Sequence, residues 1–357
     1  MMHYDDNADP AAYLRDMLDA DQLKFIERVE RAKSIYMTSE RDDDLTRMIK
    51  RLTTNAVIRR DPTRPHAANN RAPGKGLCIV APSGAGKSRL LEETFRGHAA
   101  FPNWGEKGKW CPLVSIAAPS PSTLGQVGIR ILELLDYDLR REIKENNAWL
   151  RVRQQLRLNN ILFVWIDDLN NVLHVSSEEE IQKVRDTLKD LMSNPEWPVQ
   201  VIISGVPDLL PFFRKDRQIR RRFRYLYLTK LAPNEHAEFL KSSLEHYASE
   251  AELHLAILPA EELVGRLLHA AQYEMGTTLE IAAEAVEEAL DRNSRKLQML
   301  DFANAFAARN FLPDDQNPFI SSAWHTIDTS RLQTKDEEEI DDATTPLGKK
   351  LKKGKKS

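Results

Sequence analysis

The apolar run Leu77-Cys78-Ile79-Val80 breaks into Ala81-Pro82-Ser83-Gly84-Ala85-Gly86-Lys87-Ser88, and a helical pattern follows from about Arg89 to Gly97. Strand, glycine-rich turn and helix in that order read as a phosphate-binding loop, which commits the chain to a strand–helix architecture. Gly84 and Gly86 allow backbone turns that a side chain would block, so successive N–H groups can curl around phosphate oxygens. Lys87 is placed to reach terminal phosphates and the Ser88 hydroxyl to hold Mg²⁺. The helix N-terminus adds its positive end. The expected nucleotide-binding run is therefore Ser83, Gly84, Ala85, Gly86, Lys87, Ser88 and Arg89. One slot departs from the GxxxxGK[ST] pattern: Ala81 stands where the first Gly would be. That Gly relaxes the strand-to-loop turn, whereas the later glycines and the Lys contact phosphate.

The 357 residues suffice for two domains at roughly 150 residues each. A net charge of −3 gives no global basic field, so any nucleic-acid contact must come from local patches. Cys78 and Cys111 lie in apolar, strand-like segments and read as core residues of a reducing compartment. No apolar run approaches the ~18–20 residues of a membrane span, and Met1 to Asp6 does not resemble a signal peptide. A soluble, cytoplasmic protein without a membrane partner is expected.

Residues 1–60 are charged and helical in pattern, with Leu45, Met48, Ile49 and Leu52 on one face and Ser39 as N-cap. Strands are expected at 77–80, 113–116, 161–166, 199–204 and 225–228. Helices lie between them, among them 122–135 and 178–193, the latter opened by a Ser177–Glu180 capping box. Apolar strands alternating with helices predict a parallel, doubly wound sheet over residues 61–232. Beyond Pro233 the strand signals stop. Phe239, Leu240, Leu244 and Tyr247 begin a series of helical stripes that ends with Phe302 and Phe306, predicting an all-helical domain at 233–312. Residues 313–357 read as a largely disordered charged tail, with an acidic run from Asp336 to Asp342 and a basic one from Lys349 to Lys356.

A phosphate loop needs a carboxylate at the end of a neighbouring strand to hold metal. Ile161 to Ile166 is apolar and ends in Asp167-Asp168, at the strand edge where open α/β sheets bind ligands. Asp167 is the expected Mg²⁺ residue and Asp168 the water-activating one. The next strand ends in Ser204, a candidate contact for the attacking water or the γ-phosphate, or else a plain strand-end Ser. Residues 214–224 hold seven cations in eleven positions. Three readings stand: an arginine acting on a neighbour's γ-phosphate, a DNA-backbone contact, or a solvated basic helix.

A phosphate loop, an Asp-ended strand, a polar strand end, an Arg-rich segment and a helical lid come here in the order of the AAA+ ATPases. Over roughly residues 25–310 the chain resembles the TniB/TnsC transposition regulators of bacterial mobile elements. The likeness rests on 79–88, on Ile166-Asp167-Asp168-Leu169-Asn170-Asn171 and on Arg221-Arg222-Phe223. The resemblance implies an AAA+ P-loop parallel sheet flanked by helices, with a C-terminal all-helical lid. It implies ATP and Mg²⁺ as cofactors, ATP hydrolysis, and homo-oligomeric rings or filaments on duplex DNA. It further implies recruitment of a DDE transposase and of a TniQ-type target-selection protein. By the same resemblance Lys87, Ser88 and Asp167 hold the nucleotide and metal, and Arg221 or Arg222 is the finger. Contacts to DNA should follow the second strand and its helix, at Ser120, Ser122, Arg140, Arg141 and Lys144.

Two departures matter. The family's second acidic residue is usually Glu. Asp168 is one methylene shorter, and misplacement by about 1 Å can cost ~10²-fold, so slow hydrolysis is expected. The lid segment Gly276 to Glu280 also lacks the Arg that many relatives aim at the γ-phosphate. A helicase-loader or replication-initiator ATPase and a signalling NTPase switch are the alternative classes. The first often appends a helix-turn-helix domain and the second long repeats, and neither pattern is seen after Phe311.

Overall fold

A computed structural model describes residues 10–120, 123–139, 145–173, 177–256, 260–310 and 313–329. The chain divides into two compact units, Thr38–Thr229 and the pair of segments Met1–Met37 and Lys230–Ser357.

The first unit is built on five parallel strands: β1 (Gly76–Val80), β2 (Leu113–Ala117), β3 (Phe163–Asp167), β4 (Gln200–Gly205) and β5 (Phe223–Tyr227). Their order across the sheet is β2-β3-β4-β1-β5. Alternate residues of each strand feed two cores, which is why these strands are apolar without a polar face. Cys78, Val80, Val164, Ile166, Val201 and Ile203 pack with the helices Leu124–Leu134, Glu145–Leu158 and Glu178–Ser193. Leu77, Ile79, Phe163, Trp165 and Ile202 pack on the other face with Glu40–Val57 and Lys87–Gly97. Burial also pushes the Cys78 thiol well above the usual thiol range.

Each expected strand lies within two residues of an observed one. The capping box at Ser177 forms: its hydroxyl accepts from the Glu180 N–H and Glu180 Oε2 accepts from the Ser177 N–H at 2.9 Å. The strand order brings one difference. Asp167 was expected on a strand beside β1, but β4 lies between β1 and β3. Parallel crossovers fix handedness but not which strands become neighbours.

The second unit gathers Pro233–Glu250, Ala260–Ala270, Met275–Asp291 and Met299–Asn310 around one apolar core. Leu240, Leu244, Tyr247, Leu263, Leu267, Phe302 and Phe306 of the expected stripes are all buried there. A two-residue parallel pair, β6 (His254–Leu255) with β7 (Lys296–Leu297), is its one non-helical element among the described residues. Helix Ala20–Ser34 packs in this unit, whereas Glu40–Val57 belongs to the sheet, so the expected 1–60 segment is shared between the two.

Residues 313–329, expected to be tail, are instead anchored to the helical unit. Phe319 is buried against Phe302 and Phe306, at ring-centroid distances of 5.6 and 6.0 Å. The Arg266 guanidinium donates to the Ser321 carbonyl at 2.8 Å and lies 5.7 Å from the centre of the Trp324 ring. A segment held by isolated anchors has no periodicity to read. The runs 336–342 and 349–356 lie outside the described residues. No helix among the described residues is long and apolar enough to cross a membrane.

Candidate phosphate-binding site

The loop after β1 turns where its glycines stand. Gly84 and Gly86 have φ of 74° and 86°, left-handed values that a side chain resists. Ala81 is not among the residues with positive φ, so its backbone needs no glycine, and its Cβ is accommodated in the core. Its N–H donates to the Gly205 carbonyl at 3.2 Å, which seats the loop on the end of β4.

Lys87 is buried at the start of its helix, and its ammonium donates to the carbonyls of Ala81 and Pro82, both at 2.9 Å. The ammonium therefore lies over the loop that would cradle phosphate. Ser88 Oγ donates to Asp167 Oδ2 at 2.5 Å, so the loop and the end of β3 meet across the intervening β4. Arg89 is exposed on the same helix, with its guanidinium 3.2 Å from Glu93.

Asp167 is held from three sides. Oδ2 takes the Ser88 hydroxyl, while Oδ1 accepts from the Ser204 hydroxyl and from the Asp168 N–H at 3.1 Å. Ser204 is wholly buried, and its oxygen accepts in turn from the Trp165 indole N–H at 2.8 Å. The sequence leaves Ser204 as a contact for water or γ-phosphate or as a plain strand-end Ser. Its hydroxyl donates to Asp167, because β4 runs between β1 and β3.

Asp168 follows in a left-handed conformation, φ 50°, at the turn that leaves β3. Half-burial, and then the Asp167 carboxylate beside it, push its carboxyl above the usual range, while Lys87 opposes the shift. The turn is braced by Asn170 and Asn171, two residues of the quoted motif to which the sequence assigns no role. Asn171 Nδ2 donates to the Ala118 carbonyl at 3.0 Å, and Asn170 Oδ1 accepts from the Val206 N–H at 3.4 Å. A Cβ on Gly205 would come within 2.5 Å of that Asn170 oxygen, so the glycine admits the brace. Arg41, from the first turn of Glu40–Val57, donates to the Ala85 carbonyl of the loop at 3.1 Å and to the Thr229 carbonyl. No motif marks Arg41, since only the tertiary fold brings that helix to the loop.

Arg221 and Arg222 close the helix Arg217–Arg222, which Asp216 caps by accepting from the Gln218 and Ile219 N–H groups at 2.7 and 3.1 Å. They precede Phe223, which pairs with Gly76 at the start of β1. They thus stand at the opposite edge of the sheet from the loop, about 13 Å or more away along a five-residue strand. Ser120 is exposed in the loop after β2. Ser122, Arg140, Arg141 and Lys144 lie outside the described residues.

Residues 64–233 match the family model described as "Bacterial TniB protein". No curated protein matches the sequence. Among solved structures, the chain is similar to the Aeropyrum pernix ORC1 protein in complex with DNA, with a TM-score of 0.55 at 13% identity over 84% of this chain and 72% of that one. Cdc6p from Pyrobaculum aerophilum gives a TM-score of 0.54 at 12% identity, over 77% of this chain and 69% of that one. Drosophila ORC bound to DNA gives 0.50 at 13% identity, over 88% and 74%. At such identities the likeness is one of fold, that of the AAA+ P-loop proteins.

Proposed function

From a TniB-family segment at residues 64–233 within an AAA+ fold, we propose that this protein is an ATP-dependent DNA-binding regulator of transposition. The observation that carries the reading is the direct contact of Ser88 with Asp167, 2.5 Å apart, beside the buried Lys87 ammonium. A hydroxyl and a carboxylate meeting at the end of a phosphate loop form an all-oxygen donor set, which suits Mg²⁺. Bound there, Mg²⁺ would neutralise phosphate charge.

In this reading the N–H groups around Gly84 and Gly86 cradle the phosphates and Lys87 reaches the terminal ones. Ser204 is a positioning residue that orients Asp167. Asp168 accepts the proton of the attacking water. Its short side chain makes hydrolysis slow, so ATP serves chiefly to control assembly. Arg221 or Arg222, too distant for the loop of its own chain, completes the site of a neighbouring copy. The oligomer lies on duplex DNA, where it meets a DDE transposase and a TniQ-type partner. Two of the fold relatives carry DNA, which supports DNA as a partner.

Electron microscopy on duplex DNA, with and without a slowly hydrolysed ATP analogue and Mg²⁺, tests the reading. Nucleotide-dependent rings or filaments are expected from the native chain, none from Lys87→Ala, and nearly normal ones from Asp168→Ala. A strictly monomeric protein without DNA affinity at low salt would refute it.

A further inference from the structure

The helix Glu40–Val57 crosses the sheet unit from the loop edge to the opposite edge. Its first turn reaches the loop through Arg41 and Ala85, and near its end Asn55 donates to Gln200 Oε1 at 3.1 Å, beside the start of β1. Its eighteen residues span about 27 Å. Leu45, Ile49, Leu52 and Ala56 form the buried stripe. Glu40, Asp43, Asp44, Arg47, Lys50 and Arg51 fall at helical spacing on the other side, so the outer stripe is acidic at the loop end and basic just beyond the middle of the helix. Asp44 pairs with Arg47 at the changeover. The helix dipole accounts for an acidic first turn, but not for cations gathered beyond the middle of the helix.

Those cations line a groove of about 780 Å³ that continues over the start of β1 and β5. Among the described residues, Lys50, Arg51, Lys75, Arg221, Arg222 and Arg224 all line it without a carboxylate partner, and no acidic side chain is part of its wall. Arg222 Nη1 is buried there with no hydrogen-bond partner. An unpartnered guanidinium nitrogen out of water is costly, and the other five cations, exposed around it, present a concentrated positive surface suited to an anionic one.

We propose that a second copy of this chain covers the groove, its Glu40 and Asp43 facing Lys50 and Arg51. The inference rests on the reading above, which turns Arg221 and Arg222 toward a neighbour's loop, because Glu40 and Asp43 stand on the loop side of the same molecule. Like Lys50 and Arg51, these two carboxylates have no ion-pair partner among the described residues. The two patches lie about two to three turns apart on the outer side of one helix, and with Arg221 and Arg222 turned toward the neighbour's loop the contact is head-to-tail, which closes into rings or continues as a helix. The stripe thereby adds a charge-complementary contact to the one made by the arginine finger.

Two charge-reversed proteins test this: Lys50→Glu with Arg51→Glu, and Glu40→Lys with Asp43→Lys. All four positions are outside the core, and retained binding of the ATP analogue confirms an intact loop. Assembly with the analogue and Mg²⁺ but without DNA is followed by mass photometry and sedimentation. Each variant alone should need a concentration about tenfold or more higher to assemble, since like charges now face each other. An equimolar mixture should assemble as the native chain does, in strictly alternating order, because both contacts are then complementary. Normal assembly of either variant alone, or no recovery on mixing, would overturn the proposal while leaving the regulator reading in place. Loss of DNA affinity with unchanged DNA-free assembly would also overturn it and assign the groove to nucleic acid. If the native chain does not assemble at all, the failure lies with the reading of function itself.

Discussion

Ser204→Ala removes one hydroxyl that serves two buried partners. The hydrogen bond donated to Asp167 disappears, and the Trp165 indole N–H loses its acceptor inside a core where Trp165 is only 4% exposed. A hydrogen bond to a charged group is worth ~1.5–3 kcal/mol, and an orphaned buried donor costs ~1–3 kcal/mol. Because the two share one oxygen and partial relaxation follows, the expected loss is about 2–4 kcal/mol. Native-state hydrogen exchange reads this locally, at the amides of β3 and β4 and at Leu169, whose N–H donates to the Ser204 carbonyl at 3.2 Å. Trp165→Phe deletes the orphaned donor as well as ring volume, so the double variant should be less destabilised than the sum by about 1 kcal/mol. A further signature separates positioning from plain stability: Mg²⁺-dependent affinity for an ATP analogue should fall, while Mg²⁺-free affinity is retained. A loss below about 0.5 kcal/mol, or strict additivity with Trp165→Phe, would refute the three-residue relay.

Asp168, with its carboxyl raised mainly by burial, keeps its proton in the folded state at a pH where the unfolded chain has lost it. Folded protein then binds more protons, so stability falls as pH rises from the ordinary carboxylate range to the raised folded value. Asp168→Asn should abolish that slope and melt higher at neutral pH, with no difference below the ordinary range. A pH-independent difference would contradict the assignment. Gly205→Ala drives a Cβ to within 2.5 Å of Asn170 Oδ1 and 2.6 Å of Leu209 Cδ1, at a cost of ~1–3 kcal/mol. The displaced Asp167–Asp168 turn should slow ATP turnover, and wild-type turnover with unchanged stability would show the brace to be dispensable. Phe319→Ala should cost the helical unit ~3–5 kcal/mol by opening a cavity beside Phe302 and Phe306. Exchange protection of Met299–Asn310 should drop, and full protection would mean that residues 313–329 do not anchor there.

Much of the site was legible because it is local. Gly84, Gly86, Lys87 and Ser88 of the candidate site lie within five residues of chain, and Asp167 stands at the end of a legible apolar strand. The strands were equally visible, since burial on both faces leaves them apolar throughout. Ser204 shows the limit: its position at a strand end could be read, but its partners could not. Arg41 carries no motif, Asn170 and Asn171 stand in a motif that names no partner for them, and residues 313–329 have no period.

The sequence alone determined what depends on near neighbours: the elements, their caps, the glycine turn of the candidate phosphate loop and the shift from strands to helices near Pro233. Those features follow from side-chain period and backbone conformation within a few residues. Only the tertiary structure decided the strand order, and with it the insertion of Ser204 between Asp167 and Trp165, the reach of Arg41 to Ala85, and the placing of Arg221 and Arg222 across the sheet. It also brought Lys50 and Arg51 of Glu40–Val57 beside Arg221, Arg222 and Arg224 in one groove. Such contacts join residues tens to hundreds of positions apart, and their free energy comes from burial and complementarity that no local window contains.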